Sequence, residues 1–196
     1  VGPILLERGE AEAAAAARWQ VLVPTATHSR AGATFAAQPD GSILVSGNRA
    51  DDTTTLTIPL PAGTWTGLRL EVIPDPSLPG GGSGRADDGN FVLTEILGDT
   101  APAAAADQKT PLDFARAVAD FAQQNLGVEL AIDKNPTNPG QGWAVHPRMQ
   151  EPHWAVFEFR EPRVLAEPAL LTVVLEQRFQ GAKWNLGRFR LSATQA

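Results

Sequence analysis

The sequence predicts an all-β protein, a β-sandwich of the jelly-roll type with about ten antiparallel strands and a short N-terminal helix. The chain of 196 residues contains 16 prolines and 18 glycines, which divide it into short segments separated by turns. Several segments alternate apolar and polar residues, the repeat of a strand with one buried face. About ten such segments with regular turns match the size of a jelly roll.

The N-terminal segment is predicted to precede the sandwich. The stretch LLERGEAEAAAAAR, from Leu5 to Arg18, is rich in Ala and Glu, which favour a helix. It has no broad apolar face to bury. We therefore expect residues 1–18 to form a linker helix or a frayed terminus and residues 19–196 to form the sandwich domain. Because the chain has neither a signal peptide nor an initiating Met, we expect it to be part of a longer protein.

The predicted strands begin at Trp19 with WQVLVP. In GATFAAQPDGSILVSG, Asp40 and Gly41 lie between two apolar segments, the pattern of a hairpin turn. The segments LTIPL and LRLEVI each place alternate apolar residues on one face of a strand. The remaining predicted strands are FVLTEIL, WAVFEF, LLTVVLEQRF and GRFRLSAT.

Two loops and one ambiguous segment interrupt this pattern. Residues 74–90 (PDPSLPGGGSGRADDGN) are too rich in Gly and Pro for regular structure, and loops of this length are usually functional or disordered. The Ala-rich segment GDTAPAAAADQ is expected to be flexible. The segment TPLDFARAVADFAQQ begins with Thr110, Pro111 and Asp113, residues typical of a helix N-terminus. Its apolar residues recur at helical spacing, so local sequence alone predicts a helix for 110–124.

Composition argues against several classes of function. The chain has no Cys, which excludes disulfides, a Cys nucleophile and a c-type haem attachment within it. A net charge of −6 argues against nucleic acid as a partner, and no apolar run approaches the ~20 residues that span a membrane. His28, His146 and His153 lack the spacing of a zinc protease, and no Ser lies in a G-x-S-x-G motif. We expect a protein that is not an enzyme.

The segment AIDKNPTNPGQGW, residues 131–143, is the most specific signal for a metal site. An Asp that leads a polar loop of Asn, Thr and Gly provides the oxygen ligands that Ca²⁺ prefers. Asp133 would be the charged ligand, and Asn135, Thr137 and Asn138 would add side-chain or carbonyl oxygens. The alternative is an Asx turn without a metal.

Five tryptophans without any tyrosine suggest a surface that binds sugars. An indole ring offers a flat apolar face to the C–H groups of a sugar, and its N–H is a donor. Trp65 and Trp184 lie in predicted turns and Trp154 follows a polar loop, so we expect these three to reach solvent. Trp19 and Trp143 adjoin apolar segments and are expected in the core. Packing is the alternative interpretation for each of the five.

Three longer phrases carry a family resemblance: GATFAAQPDGSILVSG, LRLEVIPDPSLPGGGSGRADDGNFVLTEI and LGRFRLSAT. Together they resemble the domain between the two uncharacterised domains of planctomycete cytochrome c-like (PSCyt-type) proteins. The resemblance extends from about Trp19 to Thr194. It implies a galactose-binding-like or discoidin-like module of a large exported protein that is secreted, periplasmic or on the cell surface. Any haem would be carried elsewhere in that protein.

The resemblance also bears on two local expectations. In galactose-binding-like modules, the segments that correspond to AVADFAQ, AIDK and QGWAV form a calcium-stabilised corner. This implies an extended conformation for residues 110–124, against the helix predicted locally. It also implies a calcium ligand at Asp133, although Lys134 stands where the family motif has Gly.

Taken together, these patterns predict a non-catalytic carbohydrate-binding module of a larger exported multidomain protein. Its loops would present Trp65, Trp154 and Trp184 to a polysaccharide, and Arg85 in the long loop would add a planar donor fork for uronate or sulfate groups. The alternative is a structural domain that positions neighbouring domains and has no affinity for sugars. Galactose-binding-like folds also bind lipids, proteins and peptides, so the fold alone does not select a ligand.

Overall fold

A computed structural model describes residues 18–135, 138, 140–181 and 183–196. Within them, twelve strands form two antiparallel sheets that enclose a common apolar core. The predicted all-β sandwich is confirmed, with twelve strands in place of about ten. The predicted N-terminal helix lies outside the described residues, apart from Arg18. Among the residues that the structure describes, none forms a helix long and apolar enough to cross a bilayer.

Sheet A contains seven strands. They are β1 (Trp19–Leu22), β3 (Ala33–Ala37), β4 (Ile43–Gly47), β6 (Gly63–Val72), β9 (Phe114–Ala119), β10 (His153–Leu165) and β12 (Arg188–Thr194). Their spatial order is β3-β4-β12-β6-β10-β9, and β1 also pairs with β12. β4 and β1 share one edge of β12, because β4 pairs with its first two residues and β1 with its last four.

Sheet B contains five strands. They are β2 (Ala26–Ser29), β5 (Asp52–Leu60), β7 (Glu95–Pro102), β8 (Thr110–Pro111) and β11 (Ala169–Gln177). Their order is β2-β5-β11-β7-β8. Two short 3-10 helices, Pro79–Gly81 and Val128–Ile132, complete the described elements. From β5 to β7 and again from β10 to β12, the chain crosses between the sheets at each step.

Alternating burial holds the two sheets together. In β5, Leu56, Ile58 and Leu60 are at most 3% exposed, while the residues between them are half-buried or exposed. Leu70 of β6 and Phe157 of β10 fill the opposite side of the same core. Full burial of each such side chain stabilises the fold by about 1.5–3 kcal/mol. Because strand side chains alternate, this core also fixes which residues point outward.

Residues 110–124 are extended where they are regular, as the family resemblance implies, and the helix predicted from local sequence is wrong. β9 pairs with β10 from Phe114 to Ala119. The ring centroid of Phe114 lies 5.8 Å from the centroids of both Phe157 and Phe159. Pairing with β10 and burial of Phe114 therefore outweigh a local helical preference that amounts to tenths of a kcal/mol per residue.

The loop of residues 74–90 is ordered and packed against the sandwich, so of the two expectations for it, functional or disordered, disorder is wrong. Gly84 forms a β-bridge with Leu186, and Ser83 and Asn90 are at most 2% exposed. The backbone of Gly84 lies so close to Asn90 that an added Cβ would overlap the carbonyl oxygen of Asn90. Glycines in this loop therefore permit a close backbone approach. The start of the Ala-rich segment, also expected to be flexible, belongs to β7.

We predict that Gly84→Ala lowers the free energy of unfolding by about 3 kcal/mol, because the new methyl group forces the backbone at Asn90 to move. Gly32→Ala is the matched control, since an added Cβ at Gly32 meets nothing within 4 Å and the cost comes only from its φ of +86°. That cost is about 1 kcal/mol. Urea unfolding of both variants measures the difference. Equal losses would show that the loop is not packed as described.

Candidate functional site

Two tryptophans lie on the outer face of sheet A, which points away from the core. In β10, Ala155 and Phe157 are fully buried, so the half-buried Trp154 points outward. In β1, Leu22 is buried and Trp19, three residues earlier, is half-buried on the opposite side. We define the sheet A face by the outward residues of five strands: Trp19, Val21, Thr66, Gly67, Arg69, Glu71, Arg116, Val118, Trp154, Val156, Glu158, Arg160, Arg190 and Thr194.

A groove of about 530 Å³ lies on this face beside Trp19. Its floor is formed by β6 and β12, where Gly67 lies directly opposite Thr194 on one side and Glu158 on the other. Because Gly67 has no side chain, the centre of the floor stays low. Arg18 and Trp19 border the groove on the side of β1, and residues of β10 border it on the other.

Charged side chains surround Trp154. The guanidinium carbon of Arg69 lies 5.5 Å from the centroid of the Trp154 ring, a cation–π contact. The carboxylate of Glu71 accepts hydrogen bonds from Nε of Arg190 at 2.8 Å and from Nη2 of Arg190 at 3.1 Å. It also forms an ion pair with Arg69 at 3.4 Å. The face therefore combines an indole ring with planar hydrogen-bond donors, the chemistry that a sugar ring and its hydroxyl groups require.

The two tryptophans are too far apart to contact one sugar ring. Trp154 lies opposite Glu71, and Glu71 lies opposite Arg190, whereas Trp19 lies opposite Thr194. Three strand spacings and four residues along β12 therefore separate them, about 14 Å in each direction. A ligand that contacts both must extend over about 20 Å of the sheet.

Trp65 is not at the surface, and its predicted role in binding is corrected. It is 1% exposed, and its Nε1–H donates to the carbonyl of Pro61 at 3.1 Å. The turn that the sequence suggested is shorter than expected, because β6 begins at Gly63. Trp65 is therefore the third residue of a strand and points into the core.

Arg85 and Trp184 lie together at a different part of the molecule from Trp154. Arg85 is 4% exposed and donates to the carbonyl oxygens of Gly47 and Asn48, the latter at 2.7 Å. Burial lowers its pKa from the usual value. Its donor fork is therefore used inside the protein, which contradicts the expected contact with uronate or sulfate. Trp184 is half-buried, with its ring edge-on to Phe179 at 5.7 Å.

Trp19 was missed by sequence reasoning, which placed it in the core together with Trp143. Trp143 is indeed fully buried, and its Nε1–H donates to the carbonyl of Phe121 at 3.0 Å. The segment WQVLVP carries no signal for an outward Trp19, because alternation groups Trp19 with Val21 and Val23, and only the structure shows that Leu22 is the buried residue. In HWAVFEF, alternation places Ala155 and Phe157 on one face and Trp154 on the other.

The predicted calcium loop contains an Asx turn. The carboxylate of Asp133 accepts a hydrogen bond from the backbone N–H of Asn135 at 2.8 Å. The amide oxygen Oδ1 of Asn138 accepts one from the backbone N–H of Gly140 at 3.1 Å. Thr137 lies outside the described residues. Lys134 has a φ of +66°, the conformation that favours the Gly of the family motif, and its Nζ lies 3.3 Å from Asp113.

A second carboxyl group, Glu95 of β7, lies beside this turn. Its oxygens accept from the backbone N–H groups of Lys134 at 3.4 Å and Asn135 at 3.1 Å. Burial raises the pKa of Glu95 to about 7, and the neighbouring Asp133 carboxylate adds to the rise. Carboxylates of Asp133 and Glu95 with an amide oxygen are ligand types that suit Ca²⁺. Among the described residues, no group of three or more acidic or His side chains is arranged to hold a metal.

His153 is the one histidine paired with an acid among the described ion pairs. Its Nδ1 is hydrogen-bonded to Asp120 at 2.8 Å and its Nε2 to the carbonyl of Arg148 at 3.0 Å. The side chain is 2% exposed. Because both ring nitrogens are engaged, this pair joins β10 to neighbouring segments and does not present a base to solvent.

Comparison with known proteins assigns no family. No protein-family model matches the chain, and no curated protein matches it. The resemblance to the planctomycete proteins therefore stays a prediction.

Two solved structures show a limited similarity to this chain. One is a carbohydrate-binding module from the β-sandwich superfamily with promiscuous specificity, at 8% identity and a TM-score of 0.34, covering 87% of this chain and 54% of that one. This chain thus spans about half the length of that structure. The other is a point mutant of a family 29 carbohydrate-binding module, at 10% identity and a TM-score of 0.33, covering 90% of this chain and 89% of that one. At such TM-scores the similarity does not assign a function.

The raised pKa of Glu95 predicts a pH-dependent stability. Its unfolded pKa is near 4.5 and its folded pKa about 7, so the protonated form stabilises the fold fully below pH 4.5. This contribution is lost as the pH rises from 4.5 to 7, up to about 3 kcal/mol in total. We expect the free energy of unfolding of the wild type, measured in urea, to fall relative to that of Glu95→Gln as the pH rises from 4.5 to 7. The exposed Glu167→Gln is the control, and a difference that does not vary with pH would contradict the prediction.

Proposed function

We propose that this chain is a non-catalytic carbohydrate-binding module that binds polysaccharide on the sheet A face. The observation that supports it is the placement of Trp19 and Trp154 on one outer sheet face, with a groove beside Trp19. Of the residues predicted from sequence for this role, Trp154 is retained. Trp19 and the charged residues around Trp154 replace Trp65, Trp184 and Arg85.

The proposed mechanism is stacking combined with polar contacts. Sugar C–H faces pack on the two indole rings, and the hydroxyl groups exchange water for the guanidinium and carboxylate groups of Arg69, Glu71 and Arg190. Cation–π and ion-pair contacts already hold these side chains, so little side-chain entropy is lost on binding. The affinity per site is modest, because sugar hydroxyls must be desolvated.

The separation of the two tryptophans favours binding along a chain. A single sugar reaches only one indole, whereas an oligosaccharide that extends over about 20 Å reaches both. Affinity should therefore rise with oligosaccharide length and level off once both rings are covered. A groove that lies across the strands, open at the surface, suits an internal segment of a polysaccharide.

A structural role for the same face is the second candidate. Val21 and Val118 lie on the sheet A face and are 41% and 38% exposed. A neighbouring domain packed on this face would cover them and would compete with a glycan. The place of the domain in a larger exported protein is part of this proposal and is supported by the family resemblance alone.

Substitution of the two outward tryptophans tests the site. We predict that Trp154→Ala and Trp19→Ala each weaken retention by the best polysaccharide at least about tenfold, because each removes a stacking surface. Trp184→Ala is the matched control, since it also removes a half-buried tryptophan but lies outside the face. Affinity electrophoresis against a broad set of soluble polysaccharides measures retention, and circular dichroism confirms that each variant is folded.

Each result discriminates between the candidates. If Trp154→Ala and Trp19→Ala lose retention by the polysaccharide and Trp184→Ala keeps it, the binding site lies on the sheet A face. Loss of retention with Trp184→Ala alone would move the site to the surface around Trp184 and Phe179. Absence of retention on every polysaccharide would overturn sugar binding and favour the structural role.

Calcium at Asp133, Asn135, Thr137 and Asn138 is a separate proposal, supported by the carboxyl group of Glu95 in β7, which lies beside the turn of Asp133. Above pH 7 Glu95 is ionised beside the Asp133 carboxylate, and an ion between the two groups would remove their repulsion. We predict that millimolar Ca²⁺ at pH 8 raises the melting temperature of the wild type and that a chelator reverses the change. Asp133→Asn should abolish the shift. No shift in the wild type would leave the Asx turn without a metal.

A further inference from the structure

We infer that the polysaccharide bound by the sheet A face is acidic, with carboxylate or sulfate groups that bind to its arginines. This inference rests on the proposed function and names the class of glycan. The sequence predicted that Arg85 binds acidic groups, but Arg85 is buried. We assign that role to arginines of the sheet A face instead. The evidence is the distribution of arginines and their partners over the face.

Two carboxylates of this region are each shared by two cations. Glu71 faces both Arg69 and Arg190. Asp113 lies next to the start of β9. Its carboxylate accepts a hydrogen bond from Nε of Arg160 at 2.6 Å and forms an ion pair with Nζ of Lys134 at 3.3 Å. At Asp113 one negative charge is set against two positive charges, so a positive charge remains there. At Glu71 the surplus is partly balanced, because Asp40 also attracts Arg190.

The side chains of two further arginines have no hydrogen bond or ion pair to any described residue. Arg18 is exposed and borders the groove. Arg116 is exposed on β9 and lies directly opposite Glu158, which is itself on the groove. Cross-strand neighbours with opposite charge attract each other, so Arg116 is balanced in part and Arg18 is not balanced within the described residues.

The positive charge is local. The chain as a whole carries −6. At the far end of sheet A the balance reverses, because Arg188 alone pairs with both Asp40 and Asp75. On sheet B, Thr172 of β11 lies opposite Thr57 on one side and Asp99 on the other, so this row carries hydroxyl groups and a carboxylate. At the groove end of the sheet A face, Arg18 and Arg160 border the groove with one acidic side chain, Glu158, which favours an anionic ligand there.

The cations that border the groove and Trp154 are arginines, which suit this ligand. A guanidinium presents paired donors in a plane that matches a carboxylate or sulfate. Arg69 combines this with its contact to Trp154, so a sugar stacked on the indole would bring a ring substituent within reach of Arg69. Stacking and anion recognition then act on the same sugar residue.

The experiment compares retention of the full chain by polygalacturonate, a sulfated galactan, a neutral galactan and polyglutamate, at 50 mM and 500 mM NaCl. We expect at least one acidic polysaccharide to bind at least about tenfold more tightly than the neutral galactan at low salt, with the difference reduced at high salt. The pair of acidic polysaccharides distinguishes carboxylate from sulfate recognition.

The double variant Arg18→Gln with Arg116→Gln should weaken binding of the acidic polysaccharide about fivefold. Arg30→Gln, an exposed arginine of the β2–β3 turn, is the matched control.

The outcomes separate this inference from the proposed function. Equal binding of neutral and acidic polysaccharides, unchanged by the arginine variants, overturns the inference and leaves the sugar-binding site intact. Retention by polyglutamate as strong as by the acidic polysaccharides shows attraction by charge alone and also overturns it. No retention by any polysaccharide, in this set or in a broader neutral set, overturns the proposed function as well.

Discussion

The constraint on which the rest of the structure depends is the alternation of buried and outward residues in the strands that enclose the core. Once Leu70 of β6 and Phe157 of β10 are buried between the sheets, the residues next to them must point away. A shift of one residue in either strand would bury Arg69 and Trp154 and expose the apolar side chains. The cost of such a shift is many times the energy of any surface contact. The sheet A face is thus set by the core and not by its own interactions.

The same constraint explains how much of the fold could be predicted. Alternation is visible in LTIPL, LRLEVI and WAVFEF, and all three are strands in the structure. The segment 110–124 has no such alternation, since its local pattern is helical. Its extended conformation depends on pairing with β10, about 40 residues later in the chain. Only the resemblance to a family provided that information, because no local rule describes a partner strand.

The candidate site was predictable only in part, for a related reason. Trp65 and Arg85 were assigned to open turns because their neighbours are Gly and Pro, yet Trp65 lies in a strand and Arg85 in a loop packed against the sandwich. Glycines marked a close backbone approach in residues 74–90 rather than flexibility. The reliable signal was parity within a strand, which identifies Trp154 directly. Position in a turn says little about exposure when the turn itself is buried.

Arg69 and Arg85 show why the environment of an arginine, rather than its presence, indicates a ligand. Arg85 donates to two backbone carbonyls, which are neutral, and its charge is buried at a cost that those hydrogen bonds offset. It stabilises the loop, and a ligand would gain nothing by displacing it. Arg69 is partly exposed and shares the carboxylate of Glu71 with Arg190. A second anion at Arg69 therefore adds to an incomplete pairing instead of breaking a complete one. The two aromatic rings hold a sugar over the same surface, and the surplus of guanidinium charge beside them is what would select among sugars that stack equally well.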